Sequence, residues 1–366
     1  MNVVPQNTIV IKEYPSLSIT EYRNEVRMYS LMRQLQKQMP IDTTGPDLIS
    51  RYFVSYHGSY QLCGKGYIFL EDADESLEDM YAMRRDRLYE WGIHDREQLV
   101  EVWEAVTPLL RALETWHGLN VEEHGGPAVH LSVTPANVFL YEVCGGDDIA
   151  ESKLKFKLRW RLASGERGLS RHYGKSERMY EAPEISQLFE KPTSKAAPAV
   201  YPVADVWSLG CVLLELLVWT VCGEQGRRDF LEDRQDEHLA IYDTQEEDAS
   251  ERQPSGQFHL EGGRSKSVER ILDKVLSRRR VFDDVTEHVG EFILENMLLV
   301  NPDDRKSAGE LADMFEDMWV EIIGKSAREY EQELVMWEER KGLSFYSSSS
   351  YATSSEDITD SSEEEL

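Results

Sequence analysis

His130-Leu131-Ser132-Val133-Thr134-Pro135-Ala136-Asn137-Val138-Phe139-Leu140 puts an imidazole, a hydroxyl and a carboxamide within eight residues. Val138-Phe139-Leu140-Tyr141, rich in β-branched and aromatic side chains, has the composition of a strand. Gly125-Gly126-Pro127 upstream marks a turn or loop. The stretch therefore reads as a loop that feeds a strand. Its plain meaning is a surface loop entering a hairpin. Its sharper meaning is a set of polar groups presented at the mouth of one, and the rest of the chain decides between them.

Upstream, Thr8-Ile9-Val10-Ile11-Lys12-Glu13-Tyr14 predicts a short strand whose apolar run ends on a lysine. From Ile19 to Met39, Tyr22, Val26, Met28 or Tyr29, and Met32 recur at helical spacing, with Glu25 inside that helix. Taken singly, Lys12 is a solvated edge-strand charge and Glu25 belongs to a polar helix face. Tyr52–Tyr56 and Tyr67–Glu71 predict two strands around Gly64-Lys65-Gly66. No helix follows those glycines, so they read as a hairpin turn rather than a phosphate loop. After the acidic run Glu71–Asp79, Ser76 with Asp79 three residues on predicts a helix cap.

Leu99–His117 predicts one amphipathic helix, with Val102, Val106, Leu109, Leu110, Leu113 and Trp116 on one face. Past the opening stretch, Asn137–Val143 and Lys153–Leu158 predict a hairpin around Gly145-Gly146-Asp147-Asp148, which leads into Arg159-Trp160-Arg161-Leu162-Ala163. Three further stretches stand out: Tyr180-Glu181-Ala182-Pro183-Glu184, the helix Asp205–Leu217 that is apolar nearly all round, and Asn301-Pro302-Asp303-Asp304-Arg305 after a helix Val289–Leu299.

In this order these stretches resemble the eukaryotic protein kinase family from Lys12 to Arg305. His130 to Asn137 has the spacing of that family's catalytic loop, His-Arg-Asp-Leu-x-x-x-x-Asn, with His130, Val133 for Leu, and Asn137 fitting. Ala182-Pro183-Glu184 is intact, and Asp205–Leu217 is similar to the family's buried core helix. The resemblance implies that Lys12 and Glu25 pair and bind nucleotide, and that Asn137 stands among the catalytic groups. It implies structural roles for His130, Glu184, Asp205 and Arg305, with Arg305 the bidentate partner a buried Glu184 wants. ATP is the implied cofactor, and Glu71–Asp79 the acidic hinge between two lobes.

Several positions depart from the pattern. Leu131 stands where the family has Arg, Ser132 where it has the catalytic Asp, Arg159 where it has the metal-binding Asp, and Arg161 where it has Gly. Asp147 and Asp148 do not substitute, since they lie ahead of the strand that precedes the motif. Phosphoryl transfer needs a positioned nucleophile and neutralised phosphate charge. The Ser132 hydroxyl is too weakly basic to take a proton near neutral pH, and losing a general base costs ~10²–10⁴ in rate. A guanidinium ~4 Å from a divalent ion is repelled by roughly 8 kcal/mol at an effective dielectric of about 20. Mg2+ is therefore not expected, and no metal ligand is assigned. Arg161 lacks glycine's backbone freedom. Leu131 removes the cation that would hold a phosphorylated Ser170, Ser176 or Tyr180. Eleven residues precede Lys12 and none is Gly, so a Gly-rich loop and the strands that carry it are not in this sequence.

The 366 residues carry a formal net charge of −28, which argues against nucleic acid or an anionic membrane as partner. A 41% hydrophobic content supports a sizeable core. Cys63, Cys144, Cys211 and Cys222 lack metal-ligand or redox spacing and read as reduced thiols of a cytoplasmic or nuclear protein. The first residues carry neither a signal nor a transit pattern. Val206–Val221, interrupted by Ser208, Gly210 and Glu215, is expected not to span a bilayer. Gly223–Arg264 reads as an insert, acidic and loop-like around Asp243–Gly256. Gly309–Gly342 reads as helical and charged, and Phe345–Leu366 as disordered. Ser354, Ser361 and Ser362 each have an acid three residues on, the context of an acidophilic kinase site.

The expected fold is α+β, two-lobed and protein kinase-like. Residues 1–72 form a small sheet lobe lacking its first two strands. Residues 73–325 form a larger, mainly helical lobe with the acidic insert at about 223–264, followed by a helical extension at 326–343 and a disordered tail at 344–366. The expected function is that of a catalytically inactive pseudokinase, a scaffold or regulatory binding module for protein partners, with nucleotide binding weak or absent. The alternative is a slow ATP-dependent serine/threonine kinase with an atypical base and metal site.

Overall fold

Small antiparallel sheets, most of them in the first half, and helices in both halves make up the structure, a mixed α+β arrangement. It is a computed structural model and describes residues 8–38, 48–82, 93, 96–118, 120–121, 126–144, 152–159, 178–190, 201–242, 256–260, 262–281 and 283–324. Ile9–Tyr14 (β1), Tyr56–Leu62 (β2) and Lys65–Glu71 (β3) form an antiparallel sheet in the order β1-β3-β2. Opposed residues share a face, so Val10, Lys12 and Tyr14 lie on the side of Leu70, Ile68 and Gly66.

Ile19–Gln38 (α1) packs on that side through Tyr22, whose ring would stand 2.3 Å from a Cβ at Gly66. Residue 66 is glycine for lack of room. Met28, Tyr29 and Met32 continue the buried stripe of α1.

The strand expected at Tyr52–Tyr56 is not there. Leu48–Tyr52 is a short helix (α2), the strand begins at Tyr56, and the turn is Cys63-Gly64. Both turn residues have positive φ, 50° and 78°, the conformation a two-residue hairpin of this hand demands. A short aromatic run suits a helix or a strand equally, so composition could not place it.

Glu75–Ser76 (β4) precedes Leu77–Ala82 (α3). Ser76 Oγ accepts the Asp79 N–H at 3.1 Å while donating to the Asp79 carboxylate at 2.6 Å, the reciprocal cap that the spacing predicts. The single helix expected over Leu99–His117 is two, Arg96–Glu104 (α4) and Thr107–His117 (α5). Pro108 lacks an N–H and is accommodated in the first turn of a new helix, so the break falls just before it.

Asn120–Val121 (β5) pairs with Gly126–Pro127 (β6). Val138–Cys144 (β7) and Ser152–Leu158 (β8) form the expected hairpin and join β4 in a second three-stranded sheet.

After Pro183–Glu190 (α6) comes Tyr201–Tyr242 (α7), the longest element, with residues 204–219 buried on every side. Gly223 at φ 67° kinks it, and the helix resumes to Tyr242. The insert expected from Gly223 therefore begins as helix, while its acidic centre at 243–255 lies outside the described residues. By length and composition Pro202–Ile241 is apolar enough to cross a membrane, yet 83% of its most apolar window is buried within the molecule, as in a core helix.

Lys266–Leu276 (α8) is capped by Ser265, whose hydroxyl accepts the Val268 N–H. Thr286–Phe292 (α9) runs into a π-turn, Ile293–Met297, so the helix expected at Val289–Leu299 starts earlier and ends wider. Residues 308–324 form the last described helix. The chain divides into two units, Met1–Glu316 and Asp317–Leu366. Arg161, Ser170, Ser176 and everything from residue 325 onward, including Ser354, Ser361 and Ser362, lie outside the described residues.

Candidate functional site

Four side chains converge on the buried carboxylate of Glu25. Lys12 Nζ donates to Oε2 at 2.7 Å, joining β1 to the second turn of α1. Tyr14 is two residues further along β1, hence on the same face, and donates its hydroxyl to the same oxygen. Tyr29, one helical turn beyond Glu25, donates to Oε1 at 3.5 Å. Arg159 completes the set, with Nη2 standing 4.0 Å from Oε1. Burial, reinforced by the Glu25 charge, raises both phenols far above their ordinary range, so they remain protonated donors.

The backbone of Arg159 is held on both sides. Its N–H donates to the Asn137 carbonyl at 2.8 Å, and its own carbonyl accepts from His130 Nε2 at 2.6 Å. His130 Nδ1 accepts the Ser132 N–H at 3.3 Å, which leaves the proton on Nε2 and the ring neutral. The loop His130–Asn137 thus holds Arg159 toward Glu25.

That loop is in turn fixed from α7. Asp205, fully buried, accepts the backbone N–H groups of His130 and Leu131, each at 2.7 Å, and His117 Nε2 lies 2.9 Å from the same carboxylate. Leu131 has φ 51°, a left-handed conformation that costs an L-residue roughly 1–2 kcal/mol. Charge-assisted hydrogen bonds to Asp205 offset that cost. Asn137 turns its amide into the loop, donating to the Ser132 carbonyl at 2.8 Å, the Ser132 hydroxyl at 3.1 Å and Thr134 Oγ1 at 3.3 Å.

These residues do not fit a divalent metal ion. Arg159 brings positive charge, and among the described residues no group of three His, Cys, Asp or Glu is placed to hold one.

Glu184 and Arg305 meet away from this cluster. Arg305 Nη1 and Nη2 donate to the two Glu184 oxygens at 2.6 and 2.7 Å, a bidentate pair across 121 residues. Its other N–H groups donate to the carbonyls of Leu299, Val203 and Val300, so all five guanidinium donors are used.

Tyr14, Tyr29 and His117 are functional neighbours that no motif in the sequence marks. Tyr14 and Tyr29 were findable, at i+2 from Lys12 on a strand and i+4 from Glu25 on a helix. His117 reaches Asp205 across 88 residues and left no local signal. A second buried centre also went unread: Glu215 pairs with Arg234 at 2.7 Å, both fully buried, and accepts the Tyr180 hydroxyl at 2.8 Å. Compared with protein-family models and with curated proteins, the chain matches none.

Proposed function

We propose that this chain is a two-lobed, protein kinase-like domain that has lost phosphoryl transfer and serves inside the cell as a scaffold or regulatory binding module for other proteins. The observation that carries the reading is the guanidinium of Arg159 directed at Glu25, at the position where the resemblance calls for a metal-holding acid. Ser132 supports it from the other side of the chemistry. Its hydroxyl is buried, accepts a hydrogen bond from Asn137, and offers no proton acceptor near neutral pH.

The retained pairs, Lys12 with Glu25 and Glu184 with Arg305, and the Asp205 bonds to the loop are framework that such a fold needs whether or not it turns over. The intact Lys12–Glu25 pair also favours a second reading, a slow serine/threonine kinase with an unusual base. Transfer of radiolabelled phosphate from ATP, with Mg2+ or Mn2+, to the chain itself and to a basic protein substrate separates the two. The proposal expects counts no higher than in the Lys12→Ala variant. Transfer by the wild type that disappears in Lys12→Ala would establish the enzyme instead.

A further inference from the structure

We propose that the open edge of β1 receives, as an added strand, an extended apolar segment of a partner protein that carries basic residues at its ends. The proposal gives the binding-module reading above a surface, and it stands on the sheet rather than on the catalytic loop.

Three consecutive residues of β1 are exposed, Ile9 at 49%, Val10 at 44% and Ile11 at 57%. Successive strand residues point to opposite faces, so a helix or loop laid over one face would leave the other uncovered. A neighbouring strand covers both. Among the described residues β1 pairs with β3 alone, at one end of the order β1-β3-β2.

Two contacts show which way its backbone groups turn. Thr8, one step beyond the Ile9–Glu71 pair, accepts the Asp72 N–H at 3.4 Å. Glu71 sends its own N–H the other way, to the Ser55 carbonyl at 2.8 Å. Antiparallel ladders alternate, so Thr8, Val10 and Lys12 bond toward β3, while Ile9, Ile11 and Glu13 turn N–H and C=O outward. Exposed edges are ordinarily blunted by charge, proline or a bulge. β2, the far edge, has a bulge between Tyr56 and Gly58 and the polar Ser59 and Gln61. Ile9-Val10-Ile11 carries no such device.

Charge selects the occupant. Glu13, about half exposed, follows the apolar run, and Asp72 is exposed at its other end beside Thr8. Lys65 meets Glu13 at 2.6 Å on the surface, a pair that an incoming cation exchanges at little cost. Apolar residues between a Lys or Arg at either end match that order. A second copy does not. It would set two chains of net charge −28 against each other. Three half-exposed side chains also fall well short of the ~1,200 Å² that stable interfaces bury. An added strand draws its affinity from main-chain hydrogen bonds instead.

Fluorescence anisotropy of a labelled heptapeptide, valine alternating with threonine between terminal lysines, titrated with the full chain, tests this. Binding is expected, and N-methylation of the central peptide amides should weaken it about tenfold or more. Glutamate in place of both lysines should weaken it as well. Ile11→Pro removes one outward N–H and spares the β3 ladder, a place where an edge strand tolerates proline, and it should cost about tenfold. If that variant does not fold, Ile11→Lys sets a like charge beside the lysine-ended peptide and reads the same edge. No binding, equal binding of the methylated or glutamate-ended peptide, or unchanged affinity in the folded variant would each overturn the proposal. Self-association of the free chain that Ile11→Pro abolishes, seen by sedimentation velocity, gives the edge to a second copy and overturns it too. Absent peptide binding leaves the radiolabel result untouched, and phosphate transfer in that assay leaves the edge as it is.

Discussion

The Oδ1 of Asp205 accepts the backbone N–H of Leu131 at 2.7 Å across 74 residues of chain, on a residue held at φ 51°. A fully buried carboxylate is thereby committed to two amides and an imidazole. Asp205→Asn keeps the shape but removes the charge, and it turns an NH2 group toward one of the amides. It should cost about 3 kcal/mol, the loss of a charged acceptor plus an unsatisfied donor, read from urea denaturation. An unchanged midpoint would mean that the loop is held by something else.

Arg305 should be as hard to replace. Arg305→Ala leaves Glu184 and three carbonyls short of donors and should cost roughly 3–5 kcal/mol. Arg305→Lys keeps the charge but cannot serve five acceptors, so it should recover less than half of that loss. In a double-mutant cycle with Glu184→Gln, the coupling should exceed about 1 kcal/mol, and strict additivity would contradict the bidentate pair.

Gly66 and Gly58 make a matched test of space. A Cβ at Gly66 meets the Tyr22 ring at 2.3 Å, while one at Gly58 on the neighbouring strand meets nothing within 4 Å. Gly66→Ala should destabilise by about 1–3 kcal/mol through overpacking. Gly58→Ala should stay within about 0.5 kcal/mol. Thermal melts of the two variants check the difference, and equal melting points would show that α1 yields at Tyr22.

Burial pushes the His259 imidazole down from its ordinary 6.5 to about 4, helped by the nearby His238, whose own value burial also lowers. The folded state refuses a proton that the unfolded chain accepts. The stability tied to this group is therefore whole above pH 6.5 and drains away as pH falls toward 4. The span is on the order of 3 kcal/mol for His259. Denaturation midpoints measured between pH 7 and 4 should fall in wild type and fall less in His259→Gln. Parallel curves would place the acid sensitivity in other groups.

Tyr14→Phe removes one donor from Glu25 and leaves the ring in place against Tyr22. It should cost about 1 kcal/mol, the net worth of an ordinary hydrogen bond, with the larger share arising if Glu25 is left under-satisfied. A melt indistinguishable from wild type would show that Lys12 alone satisfies that oxygen.

Much of this molecule was legible because its signals are local. The strand that carries Lys12 and the helical period around Glu25 depend on neighbours two to four residues apart. So do the Ser76–Asp79 cap and the core helix that is apolar on all sides, and the chain carries that information directly. Where two local structures suit one composition, the reading slipped, as at Tyr52–Tyr56 and at the helix that breaks before Pro108.

Packing alone decided which distant groups meet. Nothing within reach of Arg159 in the chain says that its guanidinium turns toward Glu25 rather than solvent. Nor does any local pattern put His117 on Asp205 or hold Leu131 in a left-handed turn. Those contacts join residues from 74 to more than a hundred positions apart, and their distances follow from how the elements that carry them pack together. Side-chain spacing along the chain determined the elements, and the arrangement of those elements in space determined the charge at the site.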